Sequence, residues 1–203
     1  MAKLNAFNRQ KGWIEVICGP MFAGKSEELL RKMNRLKYAE VDYVIFKPVI
    51  DTRTKNTIKS RDGRELEAIQ VKKSTDIIQH IKALKVKPQV IAIDEIQFFD
   101  KELPYVCEYL ADNGFIIYAA GLDSDFRGEP FPNTANLLAL AENVIKLTAI
   151  CTECGAPATR TQKLIDGKPA PYDSPRIVVG NTETYTARCR HHHVVDQKKK
   201  INF

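Results

Sequence analysis

The first group of residues with an evident chemistry forms a phosphate-binding loop. Residues 19–26 read Gly-Pro-Met-Phe-Ala-Gly-Lys-Ser and match the pattern G-x-x-x-x-G-K-[ST], with an apolar strand before and a helical pattern after. In such a loop the backbone N–H groups bind phosphates, Lys25 reaches the outer phosphates, and Ser26 places its hydroxyl on Mg²⁺. We therefore predict that the chain binds a nucleoside triphosphate with magnesium, rather than containing a glycine turn that only leads into a helix.

The second group is a pair of acids, Asp94 and Glu95, at the end of an apolar run. Next to a phosphate-binding loop, the first acid is the predicted partner of Mg²⁺, through water. The second acid is then left to act as a base. The alternative is that the two acids only cap a turn or a helix. A phosphate-binding loop also occurs in ATPases and GTPases, but the chain has no candidate guanine-reading motif and is short for a motor ATPase.

The third group has the spacing of metal ligands. Cys151-x-x-Cys154 and Cys189-x-x-His192 are two pairs with the same two-residue gap. Three thiolates and an imidazole at this spacing predict a tetrahedral zinc site, which is structural because no position is left open. His191 and His193 are rival ligands, but only His192 repeats the gap of the first pair. The remaining alternative is a surface patch of histidines beside unliganded thiols.

These residues must be positioned by strands and helices that alternate along the chain. The hydrophobic pattern predicts strands over 14–18, 41–48, 89–95, 115–121 and 144–150, and helices over 25–40, 74–85, 101–112 and 134–142. Ser74 is the predicted N-cap of the second helix. Residues 51–65 are predicted to form a loop or a hairpin. Because the strands are apolar throughout, we expect an α/β fold whose parallel sheet is covered by helices on both faces.

The character of the sequence changes near residue 150. Residues 1–150 are predicted to form the nucleotide-binding domain, and residues 151–203 a small zinc-binding domain that ends in a basic tail. A segment of this size buries too little apolar surface to be stable alone, so the predicted zinc would act as its staple.

The composition narrows the function further. The chain has 203 residues, of which 44% are hydrophobic and 28% charged, so it can bury a core. No apolar run is long enough to span a membrane and the first residues lack a secretory signal, so we expect a cytoplasmic protein. The net charge of +6 fits an anionic partner, but the sequence lacks the dense basic stripe of a nucleic-acid-binding protein. Five cysteines argue against a disulfide framework, and Cys18 and Cys107 are predicted core residues.

Several motifs occur in an order that resembles a known family. They are GPMFAGKS, KPVIDTR, DEIQFF, GLDSDFRGEPF and KLTAICTEC, followed by Tyr185 ahead of Cys189. Together they resemble the tetrameric, zinc-containing thymidine kinases, which include the vertebrate cytosolic form and most bacterial forms, over roughly residues 14–193. The resemblance implies phosphorylation of the 5′-hydroxyl of thymidine and deoxyuridine by ATP with Mg²⁺. It also implies structural zinc, feedback inhibition by thymidine triphosphate and a homotetramer.

The resemblance also implies roles for individual residues. Glu95 corresponds to the general base, with Lys25 and Arg53 as the other catalytic residues. The implied nucleotide-binding residues are Gly19, Pro20, Met21, Phe22, Ala23, Gly24, Lys25, Ser26, Asp94, Glu95, Ile96 and Gln97. Residues of about 164–184 correspond to a loop, the lasso, whose backbone binds the edge of the base. The implied substrate-binding residues are Met21, Asp51, Phe98, Leu122, Phe126, Phe131, Thr161, Arg176, Ile177, Val178, Val179, Gly180 and Tyr185.

Two other functions are compatible with parts of the sequence. A phosphate-binding loop and a zinc site could belong to a zinc-ribbon ATPase that acts on nucleic acid, or the acceptor could be another nucleoside. The motif DEIQFF, with Phe126 and Tyr185, favours a small pocket for one base over a surface that binds a nucleic-acid strand.

Overall fold

The centre of the structure is a six-stranded sheet. The computed structural model describes residues 12–51, 56–59, 63–176 and 183–197. Across the sheet, the strands are β5 (Ile69–Val71), β2 (Tyr43–Pro48), β6 (Val90–Ile93), β7 (Ile116–Leu122), β1 (Trp13–Gly19) and β8 (Asn143–Lys146). Each neighbouring pair is parallel, so the predicted parallel sheet is confirmed.

Helices cover both faces of this sheet, as the apolar strands predict. The helices are α1 (Lys25–Tyr38), α2 (Ser74–Ala83), α3 (Leu103–Asp112) and α4 (Pro132–Leu140). Successive residues of β1 face opposite sides: Ile17 packs with Leu29 of α1, whereas Val16 packs with Ile77 of α2 and Cys107 of α3. The fold is therefore α/β, with two hydrophobic cores separated by the sheet. None of the described helices is long and apolar enough to cross a membrane.

The polar segment after β2, residues 51–65, was predicted to form a loop or a hairpin. The structure has a hairpin there. Strand β3 (Thr57–Lys59) pairs antiparallel with β4 (Glu65–Glu67). Ile58 and Leu66 of this hairpin pack in the same core as α1. Strand β5 then adds an edge to the main sheet that the sequence did not predict. It has only three residues, of which Val71 alone is buried, so it leaves no recognisable pattern.

The predicted single strand over 144–150 is wrong, because the chain leaves the main sheet at Lys146. The Leu147 N–H donates the last bond of the ladder to Cys18 O (2.8 Å), next to the point where β1 ends. Residues Ala149–Ile150 form β9, which pairs antiparallel with β10 (Pro157–Ala158). The chain turns here because the Cys151 N–H donates to Ala156 O at 2.8 Å.

The predicted N-cap of α2 is also wrong. Ser74 is the first helical residue and Lys73 is the N-cap. The Asp76 carboxylate accepts a hydrogen bond from the Lys73 N–H (2.9 Å). Asp100, from the segment before α3, accepts hydrogen bonds from the Ser74 N–H (2.8 Å) and hydroxyl (2.6 Å). Sequence reasoning missed this cap because it comes from a residue far along the chain.

A second, smaller sheet follows β10. It consists of β11 (Arg160–Ile165), β12 (Lys168–Pro169) and β13 (Glu183–Arg188), all antiparallel. The buried apolar residues that join it to β9 and β10 are small: Ala149, Cys151, Ala158, Ala187 and Cys189. So small a core agrees with the expectation that this part needs a staple. The division into domains at residue 150 stays a prediction.

Asp100 gives a test of how α2 is stabilised. Its burial raises the pKa of the carboxyl, but the hydrogen bonds from Ser74 outweigh burial and hold the pKa below its ordinary value. The resulting stabilisation is complete above the unfolded value of about 3.9 and is lost as pH falls through the lower folded value. We expect Asp100→Ala to lower the free energy of unfolding by about 1–2 kcal/mol at pH 7, measured by urea denaturation.

The matched variant is Ser74→Ala, which keeps the backbone donor to Asp100 and should cost less. The difference between the native chain and Asp100→Ala should shrink as the pH is lowered from 7 to 3. A difference that stays constant over this range would contradict the assignment.

Candidate functional site

The phosphate-binding loop joins β1 to α1 and depends on glycine at both ends. Gly19 has φ +149°, and a Cβ there would lie 2.5 Å from Leu147 O. Gly24 has φ +80° and is the N-cap of α1. Lys25 Nζ donates to Pro20 O at 2.7 Å, so the amine folds back over the loop. A strand before the loop and a helix after it give the context in which such a loop binds phosphates.

Asp94 and Glu95 leave the sheet where β6 ends, and both are buried, at 4% and 7% exposure. The Glu95 N–H donates to Asp94 Oδ1 at 3.0 Å. Glu95 has φ 54° and ψ 43°, a left-handed conformation that costs a non-glycine residue about 1–3 kcal/mol. A 3₁₀ turn, Ile96–Phe98, follows directly. Strain of this kind persists only where the surroundings hold the residue, so the structure fixes Glu95 firmly.

The two residues after Glu95 were both predicted to bind nucleotide. The side chain of Ile96 is fully buried in the core, which leaves only its backbone for such a contact. Gln97 is 7% exposed; its Nε2 donates to Glu95 Oε2, and its Oε1 accepts from the Leu122 N–H at 2.9 Å. The amide of Gln97 is therefore directed at the predicted base and at the end of β7.

Lys47 is a residue of the site region that sequence reasoning missed. It is fully buried near the end of β2, where Nζ lies 2.9 Å from Asp51 Oδ2 and donates to Thr57 O at 3.3 Å. A buried ammonium group needs such partners because desolvation is costly. The signal in the sequence was a lysine inside an apolar strand with an acid four residues later. Lys47 thus fixes Asp51, a predicted substrate-binding residue.

A hydrogen bond joins the phosphate-binding loop to the second sheet. The Met21 N–H donates to Thr161 Oγ1 on β11 at 3.0 Å. Both residues were predicted to line the base pocket. Tyr185 on β13 lies opposite Lys163 in the register of the same sheet. Phe98, in the 3₁₀ turn, and Leu122, at the end of β7, are partly buried. The structure therefore brings Met21 and Thr161 into direct contact.

Two segments, the aspartate loop (123–131) and the lasso stem (172–176), are joined by reciprocal arginines. Arg176 Nε donates to Asp125 Oδ2 (2.6 Å) and its terminal nitrogen to Glu129 Oε2 (3.2 Å). In the opposite direction, Arg127 donates to Ser174 O at 2.8 Å. Arg176, predicted to bind substrate, thus directs its guanidinium at these two acids. Sequence reasoning missed the other partners because the bonded residues are about 50 positions apart.

The same network places cations against two of the three predicted pocket phenylalanines. The Arg127 guanidinium lies 5.4 Å from the centre of the Phe126 ring, and Lys163 Nζ lies 5.1 Å from it. The Arg176 guanidinium lies 5.7 Å from the Phe131 ring. Lys163 is fully buried and donates to Pro175 O at 2.9 Å. Both rings are therefore held in place by cation–π contacts as well as by packing.

The four predicted zinc ligands lie together, with their ligand atoms within 4.8 Å of one another. The Sγ atoms of Cys154 and Cys189 are 3.8 Å apart. His192 Nδ1 lies 3.8 Å from Cys151 Sγ and 3.3 Å from Cys189 Sγ. Tetrahedral zinc, with bonds of about 2.3 Å to sulfur and 2.0–2.1 Å to nitrogen, requires ligand atoms about 3.3–3.8 Å apart. The cluster could hold zinc with little adjustment.

The electrostatics separate Cys151 from the core cysteines. Burial opposes ionisation of Cys151, but backbone N–H groups nearby outweigh it and lower the pKa to about 6. Burial raises the pKa of Cys107 to about 12, and burial followed by Asp123 raises that of Cys18 to about 11. The lowered pKa favours the thiolate form of Cys151, which is the form that binds a metal, whereas Cys18 and Cys107 are buried core thiols, as predicted.

The three adjacent histidines have different surroundings. Only His192 lies beside the thiols, in agreement with the spacing argument. His193 Nε2 is 2.8 Å from Phe126 O, so this ring connects the cysteine cluster to the aspartate loop. His191 is exposed at the turn. The predicted site residues Arg53, Ile177, Val178, Val179 and Gly180 lie outside the described residues.

Comparison with known proteins identifies what the chain resembles. Residues 12–193 match the family model described as thymidine kinase. The thymidine kinase of Mycoplasmoides gallisepticum is 52% identical over 199 residues, which cover 98% of this chain and 88% of that protein. The thymidine kinase of Ureaplasma urealyticum serovar 10 is 49% identical over 204 residues, covering 100% and 92% of the two chains.

Among solved structures, the ATPase DotB of Legionella pneumophila gives a TM-score of 0.42 at 14% sequence identity. The similarity covers 74% of this chain and 44% of that one, and it is too slight to bear on the fold or the function.

The geometry of the cysteine cluster predicts one zinc ion per chain. We expect elemental analysis of the purified protein to find one equivalent, and His192→Ala to lose most of it because one of four ligands is removed. His193→Ala is the matched control, since it removes a neighbouring imidazole that bonds to Phe126 O, and should keep the zinc. Retention by His192→Ala together with loss in His193→Ala would show that the ligand was misassigned.

Proposed function

Because this chain belongs to the thymidine kinase family, we propose that it transfers the terminal phosphoryl group of ATP, bound with Mg²⁺, to the 5′-hydroxyl of thymidine. Thymidine kinase activity follows from the membership itself; the donor, the metal and the residue roles are the proposal. Deoxyuridine, which lacks only the methyl group of the base, is the second proposed acceptor.

The observation that best supports this reaction is the bond from the Met21 N–H to Thr161 Oγ1, 3.0 Å long. Phosphoryl transfer requires the donor phosphate and the acceptor hydroxyl to lie next to each other. Here the loop that would hold the phosphates contacts a residue of the expected base pocket. A short acceptor such as a nucleoside then reaches from that pocket to the phosphates.

On the donor side, catalysis rests on positioning and charge neutralisation, because this reaction needs little covalent chemistry from the protein. The backbone N–H groups of the loop and Lys25 would bind the phosphates, and Arg53 would approach them from the segment after β2. Ser26 and Asp94 offer the oxygen ligands that Mg²⁺ prefers. Mg²⁺ bound there would neutralise charge on the phosphates.

On the acceptor side, Glu95 is the proposed general base. The 5′-oxygen forms a bond to the γ-phosphorus, the bond from that phosphorus to the bridging oxygen of ADP breaks, and the hydroxyl proton moves to the Glu95 carboxylate. The buried position and fixed backbone of Glu95 support this role.

The base pocket is proposed to form between the phosphate-binding loop, the aspartate loop and the second sheet. Met21 would receive the thymine methyl group, and the rings of Phe98 and Tyr185 would stack on the pyrimidine. Leu122, Phe126 and Phe131 would complete the apolar wall. The lasso backbone over 176–180 would bind the edge of the base. Arg176 and Asp51 would act by fixing neighbouring segments, since their charged groups contact other side chains.

Zinc is proposed to be structural, held by Cys151, Cys154, Cys189 and His192. It would fix both ends of the lasso, because one pair of ligands precedes β11 and the other follows β13. In this proposal residues 151–203 form the zinc-binding domain and residues 1–150 the nucleotide-binding domain.

The remaining proposals rest on the family. They are feedback inhibition by thymidine triphosphate, a homotetramer, a cytoplasmic location, and no nucleic-acid partner.

The reaction is tested by incubating the purified protein with Mg-ATP and a panel of nucleosides. We expect thymidine monophosphate as the main product. Glu95→Gln should lower kcat by about 10²-fold or more while both substrates still bind, because the shape is kept and the base is lost. An unchanged kcat in Glu95→Gln would refute the base assignment. ATP hydrolysis stimulated by DNA, without nucleoside phosphorylation, would instead favour the zinc-ribbon ATPase.

The reciprocal arginines predict a selective effect on the nucleoside. Arg176→Met breaks the contacts to Asp125 and Glu129 and should raise the KM for thymidine about 5- to 30-fold, equivalent to about 1–2 kcal/mol. The KM for ATP should stay within about twofold. The control is Arg31→Met, since Arg31 pairs with Glu28 on the surface of α1. Equal KM values for thymidine in the two variants would show that the network does not shape the pocket.

A further inference from the structure

The side-chain amide of Gln97 has both of its ends engaged inside the protein. Oε1 accepts a hydrogen bond from the Leu122 N–H at 2.9 Å, and Nε2 donates to Glu95 Oε2. The residue is only 7% exposed. Because the backbone N–H of Leu122 can only donate, the amide oxygen must face Leu122 and the NH₂ group must face Glu95. The Glu95 oxygen on that side therefore serves as an acceptor, the role required of a general base before it takes a proton.

The space for this amide is created by a glycine in the neighbouring strand. A Cβ at Gly121 would lie 2.4 Å from Gln97 Oε1 and 2.5 Å from Ile96 Cγ1. Glycine is needed here for room, since any side chain would displace the amide from the peptide of Leu122. Gly121, near the end of β7, thus fits against Gln97, in the 3₁₀ turn that follows the adjacent strand β6.

The contact also connects Glu95 to the elements that bind the substrates. Leu122 is the register partner of Gly19, the first residue of the phosphate-binding loop. The carbonyl of Leu122 belongs to the next peptide group and is held by Thr134, whose hydroxyl donates to Leu122 O at 2.7 Å. The backbone on both sides of the Leu122 Cα is therefore held by hydrogen bonds, and it lies between the predicted base, through Gln97, and the phosphate-binding loop.

We propose that Gln97 is a positioning residue. It orients the Glu95 carboxylate toward the acceptor hydroxyl and fixes the carboxylate relative to the backbone of Leu122. Gln97 takes no proton itself. This role rests on the proposed function of Glu95 as the base, because Gln97 would act by holding the Glu95 carboxylate in place. It also gives the left-handed backbone of Glu95 a reason: the strained turn brings its carboxylate within reach of the amide of Gln97.

Two substitutions separate the atoms of the amide. Gln97→Met keeps the length of the side chain and removes both hydrogen bonds. Gln97→Glu keeps an oxygen acceptor for the Leu122 N–H but replaces the donor to Glu95 with a second oxygen. We expect both to lower kcat about 10- to 100-fold, because a misplaced reacting group costs up to about that factor. The KM for ATP should change by less than about twofold.

The decisive measurement is a double-mutant cycle with Glu95→Gln. If Gln97 acts through Glu95, adding Gln97→Met to Glu95→Gln should lower kcat by no more than about twofold further. A full additional loss in the double variant would show that Gln97 acts by another route and would overturn the proposal. If Gln97 only stabilised the fold, Gln97→Met would lower the active fraction by the same factor with or without Glu95→Gln, which is the additive result.

Thr134→Val is the matched control, because it removes the hydrogen bond to the carbonyl of Leu122, in the peptide group after the one that Gln97 contacts, without touching Glu95. It should retain kcat within about twofold, and a loss as large as that of Gln97→Met would assign the effect to Leu122 instead. Circular dichroism checks that each variant is folded. If Gln97→Met is not folded, Gln97→Glu replaces it in the double-mutant cycle. If the proposed function is wrong, the native chain will not phosphorylate thymidine. If the native chain is active and both Gln97 variants keep its kcat, only the role of Gln97 is overturned.

Discussion

The arrangement of the site depends on one constraint: all strands of the main sheet are parallel and end at the same edge. At this edge the backbone has no further ladder to continue, so the residues that follow each strand are free to take unusual conformations. Gly19, the last residue of β1, has a positive φ, and so does Glu95, two residues after β6. Ligands of open α/β sheets bind outside these carboxyl ends. The helices and the two cores then keep the ends of β1, β2, β6 and β7 at fixed spacing.

Ion pairs with at least one buried partner turn this edge into a defined site. Lys47 holds Asp51 after β2, and Arg176 holds Asp125 in the loop after β7. Each pair keeps at least one charged group out of water, which is unfavourable unless that group has a partner, so such pairs favour one arrangement of their loops. Lys163 does the same for the lasso stem by donating to Pro175 O. The loops around the site are thus ordered by polar contacts, whereas the helices are ordered by apolar packing.

How much of this could be predicted from the sequence depends on how far apart the interacting residues are. The phosphate-binding loop and the choice of His192 follow from spacing within a few residues, and the parallel sheet follows from apolar runs. The bond between Met21 and Thr161 joins residues 140 positions apart, and that between Gln97 and Leu122 residues 25 apart. No local pattern reports such pairs. The same reason explains the wrong cap at Ser74, whose stabilising acid is Asp100, and the strand that breaks after Lys146 to follow the turn at Cys151.

The hydrogen bond between Met21 and Thr161 makes the two halves of the site parts of one thermodynamic system. Its donor belongs to the loop that a nucleotide would contact, and its acceptor to the sheet that a nucleoside would contact. A displacement of the loop on nucleotide binding would therefore stretch or break this hydrogen bond to β11. By linkage, the factor by which one ligand changes the affinity of the other must be equal in both directions. Order of addition then has no effect on the final complex, and the coupling energy is a property of the chain itself.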